Sequence, residues 1–168
     1  VIWNGYIEAH GFDGGSGIGS GRRFVSGGDN TPPIVISGGT VIATGRLYHK
    51  SGGWGADIGR GLNAWAGSVT ITGGSVLPSR MNVNPAPLDA DGSRVWCVTV
   101  TNIAPYAAVT LTGITTFSGY GTNDLFADGD GKVCLWLPDG HYDFTLNCGC
   151  GDLHYTATVA GANTFAKL

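Results

Sequence analysis

Thr40-Val41-Ile42-Ala43-Thr44 returns 35 residues later as Ser75-Val76-Leu77-Pro78-Ser79. An earlier version, Gly5-Tyr6-Ile7-Glu8-Ala9, puts Tyr6 35 residues before Val41. Each copy is a small residue followed by two apolar ones. Just upstream, Ile34-Val35-Ile36-Ser37-Gly38-Gly39 matches Val69-Thr70-Ile71-Thr72-Gly73-Gly74 at the same spacing of 35. Gly15-Ser16-Gly17-Ile18-Gly19-Ser20-Gly21 matches Gly55-Ala56-Asp57-Ile58-Gly59-Arg60-Gly61 at 40, so the flanking loops trade 5 residues. A fixed spacing with compensating loops is the mark of duplicated structural units.

The unit reads as short strands broken by glycine. Ile-Val-Ile-Ser and Val-Thr-Ile-Thr are β-branched and alternate weakly. The Gly-Gly after each permits positive φ and a sharp corner, and Val41–Thr44 is a further strand beyond it. Ile18 and Ile58 are the only large apolar side chains in their glycine-rich turns, so each plugs a core where backbones approach closely. The expected fold class is all-β, with a short parallel β-helix-like solenoid first. A glycine-rich β-prism or an irregular sandwich is the competing architecture. Two units and the start of a third are present, whereas stacked repeats need about three to bury their faces. The remainder of the chain, or a longer array, has to cap them. The opening at Val1 points to processing or excision.

Glycine is 30 of 168 residues and charged residues are only 12%, against about 7% and about 25% in ordinary domains. No Gly-X-Y period runs through the chain. A surface of Ser, Thr, Asn and backbone suits a secreted or cell-surface β-protein. The net charge of −3 argues against a nucleic-acid partner. No apolar run is long enough to span a membrane. No signal peptide is present, as expected of a processed secreted chain.

Cys97, Cys134, Cys148 and Cys150 all lie in the second half. An even count favours disulfides, with three connectivities open. Strand alternation sets Cys97 and Cys134 opposite the larger aliphatic residues of their segments. They can bridge neighbouring strands or reach Cys148-Gly149-Cys150. A four-cysteine zinc site lacks the paired Cys-x-x-Cys spacing.

Pro78, Pro85 and Pro87 mark the one linker-like stretch, and the expected domains are 1–82 and 83–168. Beyond it, strands are expected at Val95–Thr101, Val109–Thr112, Val133–Leu137, Tyr142–Leu146, Tyr155–Val159 and Thr164–Leu168. Asp-Gly turns separate them, and Pro138-Asp139-Gly140 reads as a hairpin turn between two of them. Short strands at this spacing give a small antiparallel sandwich. No segment has helical periodicity.

Gly15–Gly21 followed by Ile34–Gly45 resembles the glycine-rich repeat regions of large secreted or cell-surface bacterial proteins. The resemblance covers about residues 5–77. It implies a β-helical architecture and a role in adhesion, glycan binding or spacing. Asp57 and Arg60 stand where the pattern has small residues. The tail, Asp130-Gly131-Lys132-Val133 through Leu137-Pro138-Asp139-Gly140-His141-Tyr142, is similar to small immunoglobulin-like or prealbumin-like modules of bacterial surface proteins. It brings no site with it.

Residues 46–67 hold the richest mixture of aromatic and polar groups, with Tyr48, Trp54 and Trp65 beside His49, Asp57, Arg60 and Asn63. A flat ring with a polar tip matches the C–H face of a sugar, and the polar groups can bond hydroxyls at the rim. Trp3 and Tyr6 extend the aromatic set. The alternative is that these rings seal a thin core. The expected ligand-binding residues are Trp54, Trp65, Tyr48, Asp57, Arg60 and Asn63. The expected partner is a polysaccharide or cell-surface glycan, with neighbouring modules of a larger protein beside it.

No cofactor or metal is expected. Asp89-Ala90-Asp91-Gly92 and Asp128-Gly129-Asp130-Gly131 echo the start of a calcium loop. Neither continues to a late Glu, and hairpin turns account for both. Catalysis has little support in the sequence, and the enzyme reading stays open. Glu8 is the sole glutamate, and nothing pairs Asp13, Asp29 or Asp57 across a sugar as a glycosidase requires. Arg60 or Lys50 could serve a polysaccharide lyase. His10, His49, His141 and His154 lack metal spacing. The leading reading is a non-catalytic carbohydrate-binding or adhesive module. A structural spacer or capping module is the alternative, and a lyase or glycosidase fragment the third.

Overall fold

The computed structural model describes residues 1–2, 5–22, 32–65, 67–114, 125–149 and 151–168. Trp3, Asp29 and Cys150, singled out above, lie outside the described residues. The fold is all-β, with no helix among the described residues. None is therefore long and apolar enough to cross a membrane.

The repeated segments stack as parallel strands. β1 (Tyr6–His10), β3 (Ile34–Thr44) and β7 (Val69–Pro78) form one sheet in that order. β2 (Ile18–Gly19), β6 (Ile58–Gly59) and β8 (Val83–Asn84) form a second. Ile34 pairs with Val69 and Val41 with Val76, the spacing of 35 read from the sequence. Ile18 pairs with Ile58 at 40. The expected glycine corner survives as a register irregularity between Ile36 and Thr40, within one long strand. Gly39 and Gly74 there take φ of 76° and 86°.

Two expectations change. Ile7, not Tyr6, pairs with Val41, so the first step is one residue shorter. A one-residue slip exchanges the faces of a strand. This register keeps the apolar column Ile7–Val41–Val76 together and puts Tyr6 in line with Thr40 and Ser75. The stretch read as a linker is part of the stack. Ile58 pairs with Val83, and Thr70 bridges to Leu88. The division at 82/83 therefore falls within the third turn of chain.

Ile18, Ile58 and Val83 line up through the second sheet, with Ile58 fully buried. The adjoining glycines leave no room for a side chain. A Cβ on Gly59, whose φ is 113°, would lie 1.8 Å from the carbonyl oxygen of Asn84.

The second half has two sheets. β9 (Trp96–Val100), β12 (Val133–Leu137) and β15 (Thr164–Phe165) run in the order β12-β9-β15. β10 (Ala108–Thr112), β11 (Leu125–Phe126), β13 (Gly140–Asn147) and β14 (Asp152–Val159) run in the order β11-β10-β13-β14. The Pro138-Asp139-Gly140 turn is not a hairpin. It carries the chain from β12 in one sheet to β13 in the other. Here the alternating side chains settle the partner: Leu135 and Leu137 point at the same core as Phe144 and Leu146. The Tyr142 hydroxyl closes the corner by donating to Pro138 O at 2.9 Å. Phe144 and Tyr155, directly opposite on β13 and β14, stack at 5.9 Å.

All five side chains of β12 are buried. Val133, Leu135 and Leu137 join the core shared with the four-stranded sheet. Cys134 and Trp136 point the other way, into a core with Ile36, Val41, Ile58 and Val76. Cys97 and Cys134 form a disulfide on this second face, taking the neighbouring-strand option. Hydrogen bonds accompany the contact. Trp136 Nε1 donates to Val76 O at 2.8 Å, and Cys134 N to Ser75 Oγ at 3.2 Å. The Thr40 hydroxyl bonds both N and O of Phe126 at 2.7 and 3.1 Å.

Gly59→Ala is expected to destabilise the chain by more than about 2 kcal/mol, because backbone must move to admit the methyl. Gly21→Ala, where a Cβ meets nothing within 4 Å, should shift stability by less than about 0.5 kcal/mol. Urea unfolding of the two variants measures the difference.

Candidate functional site

The 46–65 segment leaves the parallel stack as a hairpin and returns as a loop. β4 (Leu47–Tyr48) pairs antiparallel with β5 (Gly53–Trp54). Gly52, at φ 71°, closes the tip by donating to Tyr48 O at 2.9 Å. The returning loop is anchored by backbone bonds: Arg60 N to Asn84 O at 2.9 Å and Leu62 N to Gly14 O at 2.8 Å. Gly61 N donates to Ser20 Oγ at 2.9 Å. The Leu62 side chain packs over Gly53, filling the space a Cβ would need. Hairpin and loop are thus held against one another.

Between them lies an open cleft of 420 Å³, lined by Trp54, Trp65, Arg60, Asn63, Leu62 and neighbouring backbone. Trp54 is 47% exposed and Trp65 64%, so neither ring seals the core. Asn63 holds φ at 58°, a conformation asparagine tolerates better than most residues. Four of the six expected residues meet here.

The other two do not line the cleft. Asp57 is fully buried and its carboxylate is taken up by the scaffold. Oδ1 accepts from Gly45 N at 2.9 Å and Arg80 Nη2 at 3.1 Å. Oδ2 accepts from Arg80 N at 2.7 Å and Asn82 N at 3.2 Å. One buried carboxylate so ties the second turn of chain to the third. Burying it is tolerable because it is both paired and hydrogen-bonded. Tyr48 is not among the cleft-lining residues and packs near Gly14 and Leu62 instead. The Arg22 guanidinium lies over its ring at 3.7 Å and reaches Asp13 at 3.1 Å.

Arg80 is the residue that sequence reasoning missed. Its guanidinium bonds Asp57 and Gly55 O, and lies over the Trp54 ring at 4.0 Å. It fixes the indole from behind by a cation–π contact. Its position among prolines hid it, because only the stacking of the third turn brings it under Trp54.

Among the described residues, no carboxylate and no histidine lines the cleft. The two acidic turns spend oxygens on themselves: Asp89 Oδ1 accepts from Asp91 N and Ser93 N, and Asp128 Oδ1 from Asp130 N and Lys132 N. Among the described residues, no group of three His, Cys, Asp or Glu side chains could hold a metal ion.

Arg80→Met should cost about 3 kcal/mol, since it leaves the buried Asp57 carboxylate without its cation. Arg80→Lys should recover only part, because a lysine cannot reproduce the bidentate, ring-stacked geometry. Thermal unfolding gives the ranking, and a change in tryptophan emission reports the freed Trp54 ring.

The chain matches no protein-family model, no curated protein and no solved structure.

Proposed function

We propose that the chain is a non-catalytic carbohydrate-binding module of a secreted or cell-surface protein. In this reading a short glycine-rich solenoid is closed by a β-sandwich, and the ligand lies across the hairpin and loop of the second turn. The observation that carries it is the pairing of two exposed indoles, Trp54 and Trp65, in one cleft with Arg60 and Asn63. Flat rings meet sugar C–H faces, and the guanidinium and amide bond hydroxyls at the edge. The volume lies within the range of about 300–1,000 Å³ usual for small-ligand sites. The Cys97–Cys134 disulfide supports an oxidising compartment. The resemblance to bacterial surface repeats agrees with both.

A glycan array followed by fluorescence titration tests the reading. Saturable binding to a glycan class is expected, weakened about tenfold or more by Trp54→Ala or Trp65→Ala, as for loss of an aromatic anchor. Both variants should stay folded, with a loss of stability of no more than about 1 kcal/mol, the scale of the Arg80–Trp54 contact. Absence of glycan binding in the folded parent would leave the spacer reading in its place.

A further inference from the structure

A second cleft, of 380 Å³, lies where the face of the parallel sheet meets the turns of the second half. Tyr6 and Glu8 of β1 stand on one side. Tyr106 and the Asp128–Lys132 turn stand on the other. Tyr6 is 42% exposed and Tyr106 65%, so two rings from distant parts of the chain share one opening. Gly129 makes the space for one of them: a Cβ there would lie 2.6 Å from the Tyr106 hydroxyl. Tyr106 is held at φ 58°. A bulky aromatic takes that conformation at a cost; Tyr106 N donates to Asp128 O at 3.2 Å and the ring lies over Gly129.

The charge of this cleft is one-sided. Among the described lining residues, Glu8, Asp128 and Asp130 stand against one cation, Lys132, which is bonded to Asp130 at 3.1 Å; Glu8 lies 3.1 Å from His10 Nε2 and Asp128 Oδ1 accepts the amides of its own turn, leaving the remaining carboxylate oxygens to the opening. The Tyr6 hydroxyl registers the field: burial raises its pKa, and Glu8, Tyr106 and Asp128 raise it further by disfavouring the phenolate. Tyrosine faces beside carboxylates attract a cation twice over, by the ring quadrupole and by direct charge. Among the described residues the tryptophan cleft has the reverse character, with Arg60 and no carboxylate.

We propose that the Tyr6–Tyr106 cleft is a second binding site, for a ligand group bearing a primary ammonium ion. A lysine side chain and an amino sugar both present that group. The assignment is independent of glycan binding at Trp54 and Trp65.

The test is titration of the ¹⁵N-labelled chain with Nα-acetyl-lysine methylamide and, separately, methyl glucosaminide, each beside its N-acetylated neutral counterpart. Saturable shifts of the Tyr106 and Gly129 amides by at least one amine, absent with its acetylated form, are expected. The amine that binds more tightly identifies the source. Tyr106→Gly, which suits the positive φ, and Glu8→Gln, an exposed position, should each weaken binding about tenfold, the loss expected for one cation–π or charge contact. Both variants should retain the parent spectrum elsewhere. The amine response should survive in Trp54→Ala, which separates this site from the tryptophan cleft. Equal binding of acetylated and free amines, or no shift with either amine at millimolar concentration, overturns the proposal.

Discussion

A strand with neighbours above and below has no solvent face, so every side chain on it has to be accommodated by a core. β12, Val-Cys-Leu-Trp-Leu, is in that position. One set of its side chains fills the core beneath the four-stranded sheet, and the other fills the core of the parallel stack. The residues of the parallel sheets find apolar partners in this layer. Groups that cannot be apolar there are bonded across: the indole N–H to Val76 O, and the Cys134 amide to Ser75 Oγ. Each such bond is worth only about 1 kcal/mol net, yet leaving its partner buried and unmade costs more.

The same economy of polar burial positions the candidate site. Asp57 has no solvent contact and serves the turns on either side of it. Its cationic partner Arg80 in turn lies over the Trp54 ring. The exposed indole therefore rests on a cation that is itself held by a buried carboxylate. A ring held this way has little conformational freedom left to lose.

Much of the architecture was legible because it rests on periodicity. The parallel columns follow the spacings of 35 and 40, and β12 has the bounds that its alternation indicates. The buried Ile58 follows from being the one bulky side chain among glycines. What was not legible depends on contacts between turns of the chain. The Tyr6 register is decided by which face meets Phe126 and Cys134, far away in sequence. The 78–88 stretch looks like a linker by its prolines, yet Val83 completes a column. Asp57 looked like a rim residue because its partners, Gly45, Arg80 and Asn82, form no local pattern. Trp54, Trp65, Arg60 and Asn63 were recoverable because one short segment carries them all. The Tyr6–Tyr106 cleft was not, since 100 residues separate its two rings.

The three turns of the stack reach the same columns by very different routes. From β1 to β2 the chain spends residues 11–17, from β7 to β8 only 79–82, but from β3 to β6 it spends 45–57. The longest route is closed at its base, where Gly55 N donates to Arg46 O at 3.1 Å. The hairpin beyond that closure pairs with itself and adds no strand to either parallel sheet. The register of the columns is held instead where backbones touch, as at Gly59 against Asn84. Register and exposed hairpin so occupy separate stretches of one connection, and a change at the hairpin tip leaves every column its partners.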